Sequence, residues 1–130
     1  MPLTVEVVSP ERVLYSGEAD MLVCRTSEGE IAFLPGHVSF LGALGIGVVR
    51  SLLPDHGEQA IAVHGGFVEV SGDRVIVLSD VAEIAGSIDV ERARAALSRA
   101  EDALRSDPDD AAAEAALARA KVRLEVAGAL

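Results

Sequence analysis

Tryptophan is absent, cysteine and tyrosine occur once each, and aromatic residues make up only 3% of the chain. A core for 130 residues, half of them hydrophobic, must therefore be built from Val, Ile, Leu and Ala. The lone Cys24 lies in the apolar run Met21-Leu22-Val23-Cys24. It excludes an intramolecular disulfide and a cysteine-rich metal site, and it reads as a small buried hydrophobe. No apolar run approaches the roughly 18 residues of a membrane span. Strand-like pattern begins at Leu3, so no signal peptide is expected and a soluble, cytosolic protein is. Positive charge is also scarce, with a net charge of -10. Up to Ile84 there are 12 acidic and 4 basic residues, and from Ala85 on there are 9 and 7. The first part offers no basic face to a nucleic acid. Only the second, nearly balanced part could meet an acidic partner.

What is present divides at Asp80–Ala93. Before it, apolar residues alternate and glycines punctuate; after it, apolar residues recur every three or four positions among alanines. The first part predicts short strands at 3–8, 13–15, 21–26, 31–34, 38–44, 47–53, 60–64, 67–70 and 74–78. Turns are expected at Ser16-Gly17-Glu18, Ser27-Glu28-Gly29-Glu30, Pro35-Gly36, Gly45, Pro54-Asp55-His56-Gly57, Gly65-Gly66 and Ser71-Gly72-Asp73. Many short strands at this spacing indicate an antiparallel sandwich or flattened barrel. We assign 1–84 to a β-sandwich domain and 85–130 to a helical hairpin.

Chemistry-bearing patterns are few. His37, His56 and His64 lie in or beside turns without a second ligand at a metal-site spacing. Gly65-Gly66 lacks the Lys-Ser/Thr pair and following helix of a phosphate loop, and reads as a tight turn or bulge. No nucleophile elbow or paired carboxylates occur, so catalysis by this chain is not expected.

In the second part Asp89 is a good helix N-cap, with Ile88 placed to staple onto Ala93. Val90, Ala93, Leu97, Ala100 and Leu104 form one stripe. Asp107 is expected to cap a second helix with Pro108 at its first position, carrying the stripe Ala113, Leu117, Ala120, Leu124 and Ala127. So short a connection predicts an antiparallel hairpin. Alanine favours helix but buries little area, which suits a hairpin that changes partners as well as one permanently docked. Arg92 and Arg99 share a face of the first helix, and Arg119 and Arg123 lie on the second with Lys121 between them. Such residues are usually solvated, but arginines on facing helices, with Asp89 and Glu83 near the junction, can also hold a phosphorylated ligand.

Four stretches, in order, resemble the epsilon subunits of bacterial F-type ATP synthases. They are Val7-Val8-Ser9-Pro10-Glu11; Ser27-Glu28-Gly29-Glu30-Ile31 leading to Leu34-Pro35-Gly36-His37; His64-Gly65-Gly66-Phe67-Val68-Glu69-Val70; and Ile88-Asp89-Val90-Glu91-Arg92-Ala93. The resemblance spans the chain. It implies a sandwich of about ten strands in two sheets, bound to the gamma subunit and the c-ring, followed by an antiparallel hairpin. The implied role is non-catalytic: coupling the rotor's parts at the cytoplasmic face of the bacterial plasma membrane, with membrane association only through the complex. Glu30 and His37 are placed by similarity in loops facing gamma and the ring.

In this family the hairpin lies folded on the sandwich or extends toward the catalytic beta and alpha subunits, where it inhibits ATP hydrolysis. Some relatives bind ATP in the folded hairpin as a regulatory ligand. Glu83, Asp89, Arg92 and Arg99 match that site by their place in the motif, and Arg119 and Arg123 by an alignment that depends on loop length. Helix capping is the competing role for Asp89 and Arg92. The sequence ends at Ala127-Gly128-Ala129-Leu130 without a basic tail, which argues against strong inhibition by an extended form. The alternative is a stand-alone sandwich module dimerised by its hairpin.

Overall fold

The structure is a computed structural model that describes residues 2–26 and 28–130; Ser27, in the expected turn before Gly29, lies outside them. Eight strands form one hydrogen-bonded sheet: β1 (Leu3–Val8), β2 (Val13–Ala19), β3 (Met21–Thr26), β4 (Gly29–Phe33), β5 (Phe40–Leu52), β6 (Glu58–Ser71), β7 (Arg74–Leu78) and β8 (Ala82–Ile84). Their order is β2-β1-β7-β6-β5-β3-β4, with β8 beside β6. All pairs are antiparallel except β1 with β7.

The expected breaks at Gly45 and Gly65-Gly66 are not strand ends. β5 and β6 run through them, pairing Phe40–Leu44 with Gly66–Val70 and Ile46–Leu52 with Glu58–His64. One half of this long ladder continues through β7 to β1 and β2, and the other carries β8 and most of the pairing with β3. The sheet thus folds over on itself at the glycines. Val68, Val70, Val75 and Val77 from one half and Val49, Ile61 and Val63 from the other meet in one aliphatic core. The eight strands are fewer than the about ten expected, and β5 and β6 each run unbroken through a glycine read as a boundary.

Gly66 shows why glycine occupies the fold line. Its φ is +130°, and a Cβ there would lie 2.1 Å from the Leu78 carbonyl oxygen. Ser79 braces the same corner, its hydroxyl lying within donating distance of the carbonyl oxygens of Gly65 (2.6 Å) and Val81 (2.9 Å). Other differences from the sequence reading are smaller. β2 continues through Gly17 because Ser16, Gly17 and Glu18 pair with β1. β8, three residues long, carries too little pattern to be anticipated.

Cys24 is fully buried, and burial pushes its thiol up to about 12.

A short 3-10 turn (Ala85–Ser87) leads into α1 (Val90–Ser106), capped by the Asp89 carboxylate, which accepts the Arg92 backbone N–H at 3.1 Å. The second helix, α2 (Ala111–Val126), starts later than expected. Asp107 ends α1 and its side chain accepts the Asp109 N–H in a local turn (3.1 Å), while Asp110 accepts from Ala113 and caps α2 (3.0 Å). Pro108 therefore occupies the connection and not the first helical position. The two helices pack against each other, and Ala93 and Ala100 of α1 and Ala113, Ala120 and Leu124 of α2 are buried.

Candidate functional site

The hairpin is seated on the sandwich, and strand alternation builds the seat. Along β6, Ile61 and Val63 enter the core, so Ala62 and His64 face the other way. On β5 the same alternation sends Val49 inward and Val48 and Arg50 outward. β8 then places Glu83 directly beside Ala62. Val122, Val126 and Ala127 of the α2 end cover this face with Ile88, forming a small second core around Ala62, Val48 and Ala60. Ile88 thus anchors the start of α1 to the sandwich. α2, not α1, carries the main contact with β5 and β6.

Polar groups flank the apolar patch. Arg50 of β5 pairs with Glu125 of α2. On the other side one oxygen, Glu83 Oε1, accepts from two donors: Arg123 Nε at 2.7 Å and His64 Nε2 at 3.0 Å. The His64 side chain is only 3% exposed. A proton on Nε2 satisfies the Glu83 contact, which leaves Nδ1 a buried acceptor with no partner among the described residues. Burial pulls the His64 imidazole below its ordinary range; the Glu83 hydrogen bond opposes this, and the charges of Arg123 and Arg119 reinforce it.

Next to this cluster lies a cavity of about 360 Å³ between the β8–α1 junction and the hairpin. Glu83, Asp89, Arg92, Arg99 and Arg123, five of the six residues singled out as ligand contacts, line it. Arg119 is not on its lining; it lies on the His64 side of α2. Ala93 and Ala96 give the cavity a small apolar floor. The guanidinium groups of Arg92 and Arg99 have no ion-pair partner among the described residues, whereas Arg123 is held by Glu83. Asp89 uses one oxygen on the helix cap, so capping and cavity lining are compatible in one side chain. Uncommitted guanidinium groups and acceptor carboxylates suit an anionic ligand that also carries hydroxyl or amine donors.

The other two expected site residues are elsewhere. Glu30 is exposed within β4, opposite Arg25, and not in a loop, because pairing with β3 begins at Gly29. His37 follows the Pro35-Gly36 turn with its ring edge-on to Phe33, centroids 5.1 Å apart. That turn is tied to the β6–β7 hairpin by the Gly36 N–H donating to Asp73 at 2.8 Å. Leu34, Val38 and Leu41 around it are exposed. A second apolar band crosses the sheet's outer face, where the registers set Val13 beside Val8, Val8 beside Leu78 and Leu78 beside Phe67. Sequence reasoning passed over His64, Arg50 and Glu125 as site-forming residues. The available signal was the outward half of the β6 alternation, Ala60, Ala62 and His64, whose small apolar residues call for a cover.

The cavity's lining, three arginines and two carboxylates with Ser87 and two alanines, is that of a binding protein for an anionic group. The chain belongs to the ATP synthase delta/epsilon chain family, matching its beta-sandwich domain over residues 2–85 and its long alpha-helix domain over residues 87–128. The ATP synthase epsilon chain of Thermobifida fusca is 50% identical over 130 residues, covering 98% of this chain and 93% of the relative. That of Moorella thermoacetica is 44% identical over 131 residues, covering 98% of each. Among solved structures, a chain of the Euglena gracilis mitochondrial ATP synthase superposes with a TM-score of 0.70 at 22% identity, over 98% of this chain and 78% of the other, a likeness of fold. No helix among the described residues is long and apolar enough to cross a membrane.

Proposed function

We propose that this chain is a non-catalytic central-stalk subunit of an F-type ATP synthase, joining the gamma subunit to the c-ring, and that its hairpin is a nucleotide-responsive regulatory element. Family membership over both parts of the chain supports the stalk role. The apolar band Val13, Val8, Leu78 and Phe67 and the exposed tip around Leu34, Val38 and Leu41 offer two separate docking surfaces, one for each neighbour. Glu30 and His37, on and just beyond β4, are assigned to the second of them. The complex would hold the chain peripherally at the cytoplasmic face of the membrane.

The observation that carries the regulatory reading is the convergence of Arg92 and Arg99 from α1, Arg123 from α2, and Glu83 and Asp89 from the junction on one cavity. ATP fits this donor set. The arginines bind phosphates, the carboxylates accept from ribose hydroxyls and the adenine amine, and Ala93 and Ala96 seat the base. A ligand spanning both helices and the sandwich stabilises the folded hairpin by mass action. The test is calorimetric titration of the chain with ATP, beside Asp89→Ala and Arg99→Ala. Saturable binding lost in both variants is expected. Absence of binding at millimolar ATP overturns the nucleotide reading and leaves the stalk role standing.

A further inference from the structure

The geometry points to His64, Glu83 and Arg123 acting as a proton-sensitive latch, through which acidification releases the helical hairpin from the sandwich. This stands on the hairpin's seat and not on the ligand reading of the cavity.

Three observations carry it. First, the latch is one atom wide: Glu83 Oε1 receives both the strand's His64 and the helix's Arg123, at 3.0 and 2.7 Å. Second, the seated hairpin leaves no place for a second imidazole proton. Nδ1 is buried without a hydrogen-bond partner, so a proton added there would be a buried donor with no acceptor. Third, the charges facing the ring do not cancel in favour of protonation. Glu83 on β8 favours it, Arg123 and Arg119 on α2 oppose it, and burial opposes it more than either. The β5 residue opposite His64 is Ile46, which carries no charge.

The sign follows by linkage. His64 with the hairpin released loses the Arg123 and Arg119 charges and the cover of α2 but keeps Glu83 beside it on the sheet, so it titrates no lower than its ordinary range, whereas His64 under a seated hairpin titrates below it. Between these two values the released form binds the extra proton. Seating is therefore at full strength above the released form's value and weakens as pH falls from there to the lowered value, by up to about tenfold per pH unit. The Arg50–Glu125 pair holds the hairpin on the other side of the apolar patch.

The test uses the whole chain without nucleotide, so its outcome is independent of ATP binding. Nuclear magnetic resonance follows the imidazole signals from pH 5.5 to 8, with His64 identified by its loss in His64→Gln. Amide exchange in α2, corrected for the intrinsic pH dependence of exchange, gives the hairpin's opening constant at each pH. We expect the His64 midpoint below 6.5 and an opening constant that rises as pH falls below 6.5. In His64→Gln, whose amide still donates to Glu83 but takes up no proton, the opening constant should stay flat. A His64 midpoint at or above 6.5, an opening constant independent of pH, or an equal rise in His64→Gln overturns the latch. The wild-type titration and opening constants decide even where the variant folds poorly.

Discussion

Replacing Glu83 by Ala removes the acceptor on which strand and helix converge, and the cost follows from the exposure of each donor. His64 is 3% exposed, so its Nε2–H would stay buried without a partner, costing about 1–3 kcal/mol. Arg123 is 29% exposed and finds water instead, so its lost ion pair costs at most about 1 kcal/mol. Together these give a loss of about 1–4 kcal/mol, roughly a 5- to 900-fold rise in the hairpin's opening constant. The apolar patch around Ala62, Ile88 and Val126 and the Arg50–Glu125 pair remain, so helix content in the resting state should not change. Native-state amide exchange measures this quantity, because a released hairpin of marginal helices exchanges while the sandwich stays protected. Amides in α2 should lose protection by that factor and those in β1 and β7 should keep theirs. Unchanged protection in α2, within threefold, or equal loss in α2 and β1, would refute the argument that Glu83 acts between hairpin and sandwich.

Two predictions concern the sandwich. Gly66→Ala sets a methyl group 2.1 Å from the Leu78 carbonyl at φ +130°, so β6 must shift from β7; a loss above about 2 kcal/mol in urea denaturation is expected. A loss under 0.5 kcal/mol would show that the fold line tolerates a side chain. A fragment of residues 1–84 keeps the whole main core, in which no hairpin residue takes part, and should unfold cooperatively on its own. A fragment with no cooperative transition in circular dichroism would make the hairpin part of the sandwich's folding unit.

Much of this architecture is legible in the sequence because its physics is local. Alternating Leu3, Val5 and Val7 mark one buried face, and Asp89 followed by Arg92 marks a helix start that forms as expected. Sequence reasoning erred where glycine has two meanings. Gly65-Gly66 ends a strand or bends one, and only the partner strand decides; here β5 pairs on both sides of it. It erred again at Asp107-Pro108-Asp109-Asp110, which offers three acidic caps in four positions, and the turn took the first and the helix the last. The cavity was half legible: Asp89, Arg92 and Arg99 share the α1 end, but the approach of Arg123 and Glu83 depends on how α2 sits. That seat was hidden because α2 buries two faces. Ala113, Ala120 and Leu124 meet α1 while Val122 and Val126 meet the sandwich, and no single stripe results.

Because α2 is the layer in contact with the sheet and α1 rides mostly on α2, the two joints of the hairpin are arranged in series. The outer joint, alanine against alanine, is broad but shallow; the inner joint has a small apolar patch fixed at its corners by charge. Unwrapping therefore has a direction. α1 can swing away about its Ile88 anchor while α2 keeps its place, whereas α2 cannot leave without taking α1 off the sheet with it. A partner that captures only α1 works against the outer joint, and one that draws out α2 works against the inner joint and the Ile88 anchor.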